Sequence, residues 1–391
     1  MVLFFSFPDP VLFRTNMPFD AGIHRRATSF FPPTPSTMQG AIRSKIILES
    51  DVGFQDWMKF LKNRDANSES NNKLSQLKDK IGDSNSLGKL TLKGPFVASK
   101  IDGEVKVYFS VPLDVVAERK KKKLEKIFIL KPLPDKPLGN SISIKYIESR
   151  EQSVPNLLWL KTDKKVEPVE DSFMSVDVFE KYLMNEEVLP NDVITNKTIF
   201  GKEGRVGIWR ENKRAKEGML YYADFIRLKD GFGIVEDVEY EDREGISLGK
   251  SGTVALGGQG KIAYYESLSR DPFEVIFKLK DKVIRKTKES NSLKIVFVTP
   301  AFFENPLKVI EDNSLEFVTA SIGKPTTIGG WNFAQNSPKE ARKYIPAGSV
   351  YYFKIKDKEK IEEIFDRYWF KSILEDQFSK YGYGITLLGI W

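Results

Sequence analysis

The sequence predicts an α+β protein in which one plan, a sheet with helices on one face, is used twice. Three observations carry this. Segments 36–49 and 358–378 space apolar residues as helices do, and Ile361, Ile364, Phe365, Tyr368, Trp369 and Ile373 share one face of the second. Short apolar-rich runs separated by glycine-bearing turns fill much of 205–266 and 293–356, the pattern of strands. Both halves then close alike, on a glycine turn followed by an apolar strand. The division this implies is 1–268, with a helical and hairpin insert around 51–200, and 269–391.

Residues 2–7 read as an opening strand. The run FFPPTPSTMQG hands over to a helix with Ser36 as N-cap and Gln39 completing a capping box. From 55 to 99 the charged, amide-rich composition predicts an amphipathic helical insert. Alternation over 101–116 predicts a hairpin turning at Asp102-Gly103. The stretch 131–197 gives one helix, near Val176–Met184, and little else. Strands are expected at 205–210, 218–228, 231–238 and 261–266. The second half is expected to hold strands at 273–279, 293–299, 315–321 and 349–356, a short helix at 304–312, and a closing strand to Trp391.

The chain has 391 residues, 41% of them hydrophobic and 12% aromatic, enough for two packed cores. Lys and Arg total 61 against 54 Asp and Glu, a net +7 that permits a basic groove only where the cations cluster. Cysteine is absent, which removes disulfides, thiolate nucleophiles and Cys-based metal sites and leans towards the cytoplasm. A single histidine, His24, removes paired-His metal sites. No run of about 18 apolar residues is present, so no membrane span is expected. Glu244–Ser251 imitates a phosphate-binding loop but is one residue short between its glycines and follows no apolar strand. The acidic run Glu239, Glu241, Asp242, Glu244 reads as a solvated turn. No cofactor or metal is expected.

Three constellations suit a nucleic-acid backbone. His24, Arg25 and Arg26 precede the helix that opens at Ser36 and Thr37, whose free amides and dipole favour a phosphate, and Arg43 and Lys45 extend the basic surface. Surface pairing of these arginines with nearby carboxylates is the plain alternative. Gly257, Gly258 and Gly260, with Lys261, would let a sugar–phosphate chain approach closely. In GRVGIWRENKR, Arg205, Arg210, Lys213 and Arg214 surround Trp209, a basic and aromatic mixture suited to a single strand. The lysines of Arg119–Lys123 add charge or solubility.

Taken together, LFRTNMPFDAG, FFPPTPSTMQGAIRS, GRVGIWRENKRAKEGMLYYADFIRL, LGGQGKIAYYE, IGGWNFAQNSPKEARKYIPAGSVYYF and GYGITLLGIW resemble the third-subunit family of the Cmr complex, the type III-B CRISPR effector, within the RAMP superfamily. Segment 51–200 carries no such block. The resemblance implies two ferredoxin-like (RRM-like) folds and no nuclease activity. It implies a hetero-oligomeric place beside a large polymerase/cyclase-like subunit and a backbone RAMP subunit, gripping the repeat-derived 5′ tag of the guide RNA. Carried onto this sequence, the family's basic loop and helix correspond to Arg14, His24, Arg25, Arg26, Ser36, Thr37 and Arg43, and its glycine loop to Gly257–Lys261. A thumb hairpin, known in related subunits, is expected within 101–150. The rival expectations are a metal-independent endoribonuclease processing guide precursors through His24, and a pure protein adaptor.

Overall fold

The computed structural model describes residues 1–14, 26–62, 70–83, 88–121, 123–133, 157–211, 214–240, 248–332 and 336–391. His24 and Arg25, the first half of the loop that imitates a phosphate-binding site, and three of the four acidic residues of 239–244 lie outside them.

Two antiparallel sheets organise the chain. The first has eight strands in the order 193–195, 172–175, 104–110, 90–101, 232–240, 2–6, 262–267, 251–255. The second has five, in the order 315–321, 350–355, 292–297, 385–389, 371–372. Four strands within each share one spatial plan. In the first, the 2–6 strand lies between 262–267 and 232–240, with 90–101 beyond. In the second, 292–297 lies between 385–389 and 350–355, with 315–321 beyond. Numbering each set of four along the chain, both read fourth, first, third, second.

Helix Pro35–Glu49 covers one face of the first sheet, burying Met38, Ile42 and Ile46 against Leu3, Phe5 and Val97. The other face meets the second half. Helices Val176–Leu183, Glu274–Ser290 and Ile361–Tyr368 pack there, and one apolar core runs from Phe4 and Phe96 to Ile295 and Phe353. Phe96 stacks on Phe370 at 5.8 Å and meets Phe273 edge-on at 5.5 Å, so aromatic contacts join the halves.

Several expected elements differ. The first helix is capped by Thr34, whose hydroxyl accepts from the Thr37 amide at 3.3 Å; Ser36 is already helical and Gln39 is buried, so no capping box forms there. The insert holds helices Phe54–Lys62 and Ser70–Ile81, but 90–99 belongs to a strand. Residues 273–279 open a helix because Ile276, Leu279 and Val283 must share one buried stripe. Residues 304–312 form turns around Pro306, which cannot donate within a helix. The last long helix stops at Tyr368. Phe370 takes φ +50°, and its 1% exposed ring enters the shared core instead of continuing the helical stripe. The hairpin at Asp102-Gly103 forms with both residues left-handed, as a two-residue type I′ turn requires.

A bulge between Val235 and Asp237 turns Glu236 inward. Its carboxyl is fully buried with neither oxygen hydrogen-bonded. Gly94 makes the room, since a Cβ there would lie 2.9 Å from Glu236 Oε2. Burial, then the neighbouring Asp237, raises this carboxyl well above its ordinary range. A raised folded value means the contribution is complete below pH 4.5 and is lost as pH climbs through the folded value. Glu236→Gln cannot lose it. The variant is therefore expected to melt above wild type at pH 8, with the gap closing towards pH 4. A gap that does not change between these pH values would refute a titrating Glu236.

Candidate nucleic-acid interface

The longest hairpin among the described residues is formed by Phe200–Glu211 and Arg214–Leu228, and its root gathers four of the expected cations, Arg14, Arg26, Arg205 and Lys261. Val11 exchanges two 2.8 Å backbone hydrogen bonds with Ile226, and Arg26–Ala27 runs parallel to Tyr222–Ala223. Arg14 bridges to Ser29, and the Phe30 amide donates to Phe13 O at 2.8 Å. Leu12, Ala27, Ala223 and Phe225 make a small core beneath.

The glycine loop docks on the same root. Gly257 and Gly260 take φ +100° and +67°, which glycine adopts without steric cost. The Gly258 amide donates to Leu12 O at 2.7 Å, so this donor serves the fold and is not offered outward. Nothing lies within 4 Å of a Cβ built on Gly260, which leaves open space there. Lys261 Nζ sits 3.2 Å from Asp9.

The arginines at the root are paired. Arg26 Nε donates to Asp224 at 2.9 Å. Arg205 reaches Glu203 at 2.6 and 2.8 Å and rests 4.7 Å from the Phe225 ring centre, while Arg227 holds the other Glu203 oxygen at 2.9–3.0 Å. Hydrogen bonds from Arg205 and then Arg227 hold the Glu203 carboxyl below its usual range. Such exposed pairs are each worth about 0–1 kcal/mol. A phosphate can therefore compete for these guanidinium groups.

Register places the two sets on opposite faces. Arg205 opposes Ala223 and shares a face with Phe225 and Arg227, whereas Arg26 lies beside Tyr222 and Asp224 on the other. Val206 opposes Tyr222 and Ile208 opposes Leu220 on that second face, and all four are exposed. Arg210 lies nearer the far end of the same strand.

The other expected residues are elsewhere. Ser36 Oγ lies 2.9 Å from Tyr383 Oη, and Thr37 Oγ1 lies 2.9 Å from Thr34 Oγ1, so the helix start is closed against the C-terminal half. Arg43 donates to Asp83 O at 3.1 Å; burial lowers its pKa, and its Nε is buried without a partner. Lys45 pairs with Glu49 at 2.7 Å and approaches the Tyr265 ring. Sequence reading missed Glu203, Tyr222, Asp224 and Arg227. The alternation in YYADFIRL carries a signal for them, because it sorts Tyr222 and Asp224 from Phe225 and Arg227.

Among the described residues no group of three or more His, Asp or Glu could hold a metal, and no helix is long and apolar enough to cross a membrane.

Residues 8–391 match the model of a family described as CRISPR-associated protein (Cas_Cmr3). No curated protein matches the sequence. Among solved structures, a chain of type III-B Cmr-beta bound to cognate target RNA and AMPPnP is 16% identical, with 100% of this chain and 99% of that chain covered and a TM-score of 0.49. A chain of the Csm3–Csm4 subcomplex of the type III-A CRISPR-Cas interference complex is 11% identical, covering 90% and 92%, with a TM-score of 0.36.

Proposed function

The chain belongs to the CRISPR-associated Cas_Cmr3 family, and from that premise we propose that it is a non-catalytic RNA-holding subunit of a type III-B effector, gripping the repeat-derived 5′ tag of the guide RNA. It sits beside the large polymerase/cyclase-like subunit and a backbone subunit in this reading. Its two halves are ferredoxin-like, a reading supported by the repeated fourth-first-third-second strand order. The observation that carries the proposal is the hairpin root, where Arg26, Arg205 and Arg227 flank a strand pair with Tyr222, Val206, Ile208 and Leu220 exposed along one face. Guanidinium groups position phosphates, while the exposed side chains offer surface to unstacked bases. This hairpin is assigned the thumb role in place of 101–150, whose described hairpins are shorter.

The test is RNA binding by the purified chain as a function of salt, using RNA with the repeat-derived 5′ end. Arg26→Ala with Arg205→Ala is expected to weaken binding about tenfold. The log–log salt slope should fall by about 0.7 for each phosphate that is no longer neutralised. The RNA is expected to stay intact in EDTA. An unchanged slope would remove the hairpin root from the interface, and cleavage abolished by His24→Ala would make the chain an enzyme.

A further inference from the structure

Beside the start of the first helix the two halves enclose a cleft of about 260 Å³. Its walls are flat and apolar, from Phe30, Phe31, Pro95, Pro300 and Pro346. The polar character of the rim has one sign. Glu170 and Asp171 are the only charged residues lining the cleft among those described, both are exposed, and no described cation pairs with either carboxylate. Asn196 also lines it, with its Oδ1 buried and without a hydrogen-bond partner.

The rim is held in place. The Asn196 amide donates to Asp171 O at 2.8 Å, Ser172 Oγ donates to Glu170 O at 2.8 Å, and Asp171 takes φ +50°. These hydrogen bonds hold the main chain that carries the two carboxylates beside an apolar hollow. In a chain of net charge +7 this is a local reversal of sign. A phosphate chain entering here would meet two negative charges with no described cation paired to them. An occupant with an apolar side chain and a neighbouring cation would match both the walls and the rim.

We propose that this cleft receives a protein segment of a neighbouring subunit, with one aromatic or aliphatic side chain between the phenylalanine and proline walls and an adjacent Lys or Arg at Glu170 and Asp171. The cleft adjoins the hairpin root at Phe30 and Phe31, but none of Arg26, Arg205 and Arg227 lines it, so its failure and that of the RNA reading are separate results.

The probe is N-acetyl-4-fluorophenylalanyl-arginine amide, titrated with the full chain and followed by fluorine NMR. Its glutamate counterpart and adenosine monophosphate serve as comparators. The arginine peptide is expected to saturate, and the glutamate peptide to bind at least tenfold more weakly. Glu170→Gln with Asp171→Asn keeps the left-handed turn, which Asn tolerates. It should weaken the arginine peptide about fivefold, the sum of two exposed ion pairs. Displacement of the probe by adenosine monophosphate would make this a nucleobase pocket and overturn the proposal. Equal binding of the two peptides, or no saturable binding by either, would also overturn it.

Discussion

Asp114→Asn is expected to cost about 3–5 kcal/mol of unfolding free energy, the usual penalty for leaving a buried charge uncompensated. Asp114 is fully buried where the first half meets the second. It accepts from the Tyr182 hydroxyl at 2.8 and 2.9 Å and from the Tyr352 hydroxyl. Lys294, also fully buried, donates to Tyr182 O at 2.8 Å and lies 3.6 Å from the Tyr182 ring centre. Burial raises the Asp114 carboxyl, opposed first by Lys294 and then by the two tyrosines. Burial lowers the Lys294 ammonium to about 8, opposed by Asp114. Each group therefore favours the charged form of the other.

The pH dependence follows from the lysine. A folded value of about 8 against an ordinary 10.5 gives stability that is present above 10.5 and lost as pH falls through the folded value. Removing Asp114 takes away what raises Lys294, so the window of loss widens towards lower pH in Asp114→Asn. Urea titrations at pH 7, 8.5 and 10 measure both effects. The double variant Asp114→Leu with Lys294→Met should recover part of the loss, since paired apolar replacements are often neutral but the buried Tyr182 hydroxyl is left without its acceptor. A double variant no more stable than the single one would mean that shape, not charge balance, sets the cost.

How far the sequence was legible differs by element. The first helix and the Asp102-Gly103 turn are written locally, in proline, hydroxyl and glycine positions, and they form within one or two residues of expectation. The cap moved to Thr34 because Ser36 answers to Tyr383, which no local pattern reveals. Val275, Ile276 and Phe277 are apolar in a row, and the helical stripe shows only when Val283 and Thr287 are included. Phe370 left its helix for a core contributed by both halves, a tertiary demand. Arg43 and Lys45 are two residues apart, about 200° around a helix, and could never share one basic face. The opposite faces of Arg26 and Arg205 were not readable, because they depend on a strand pairing between residues nearly 200 apart.

Gly382→Ala tests how the halves are joined by backbone alone. Gly382 ends the short turn Gln377–Tyr381 with φ +96°, a conformation side chains resist by about 1–2 kcal/mol. A Cβ there would lie 2.6 Å from Gly94 O and 3.1 Å from Leu92 O, both main-chain atoms of the first sheet. Backbone on both sides cannot yield as a flexible side chain would, so overpacking adds about 1–3 kcal/mol. The expected total is about 2–5 kcal/mol. Gly260→Ala is the control, because its φ is also left-handed at +67° but its Cβ would meet nothing within 4 Å. It should cost only the conformational part. If both variants lose the same amount in urea unfolding, the close approach of Gly382 to the Leu92–Gly94 backbone contributes nothing. If Gly382→Ala loses distinctly more, the C-terminal GYG turn docks on the first sheet through an approach that only a bare Cα permits.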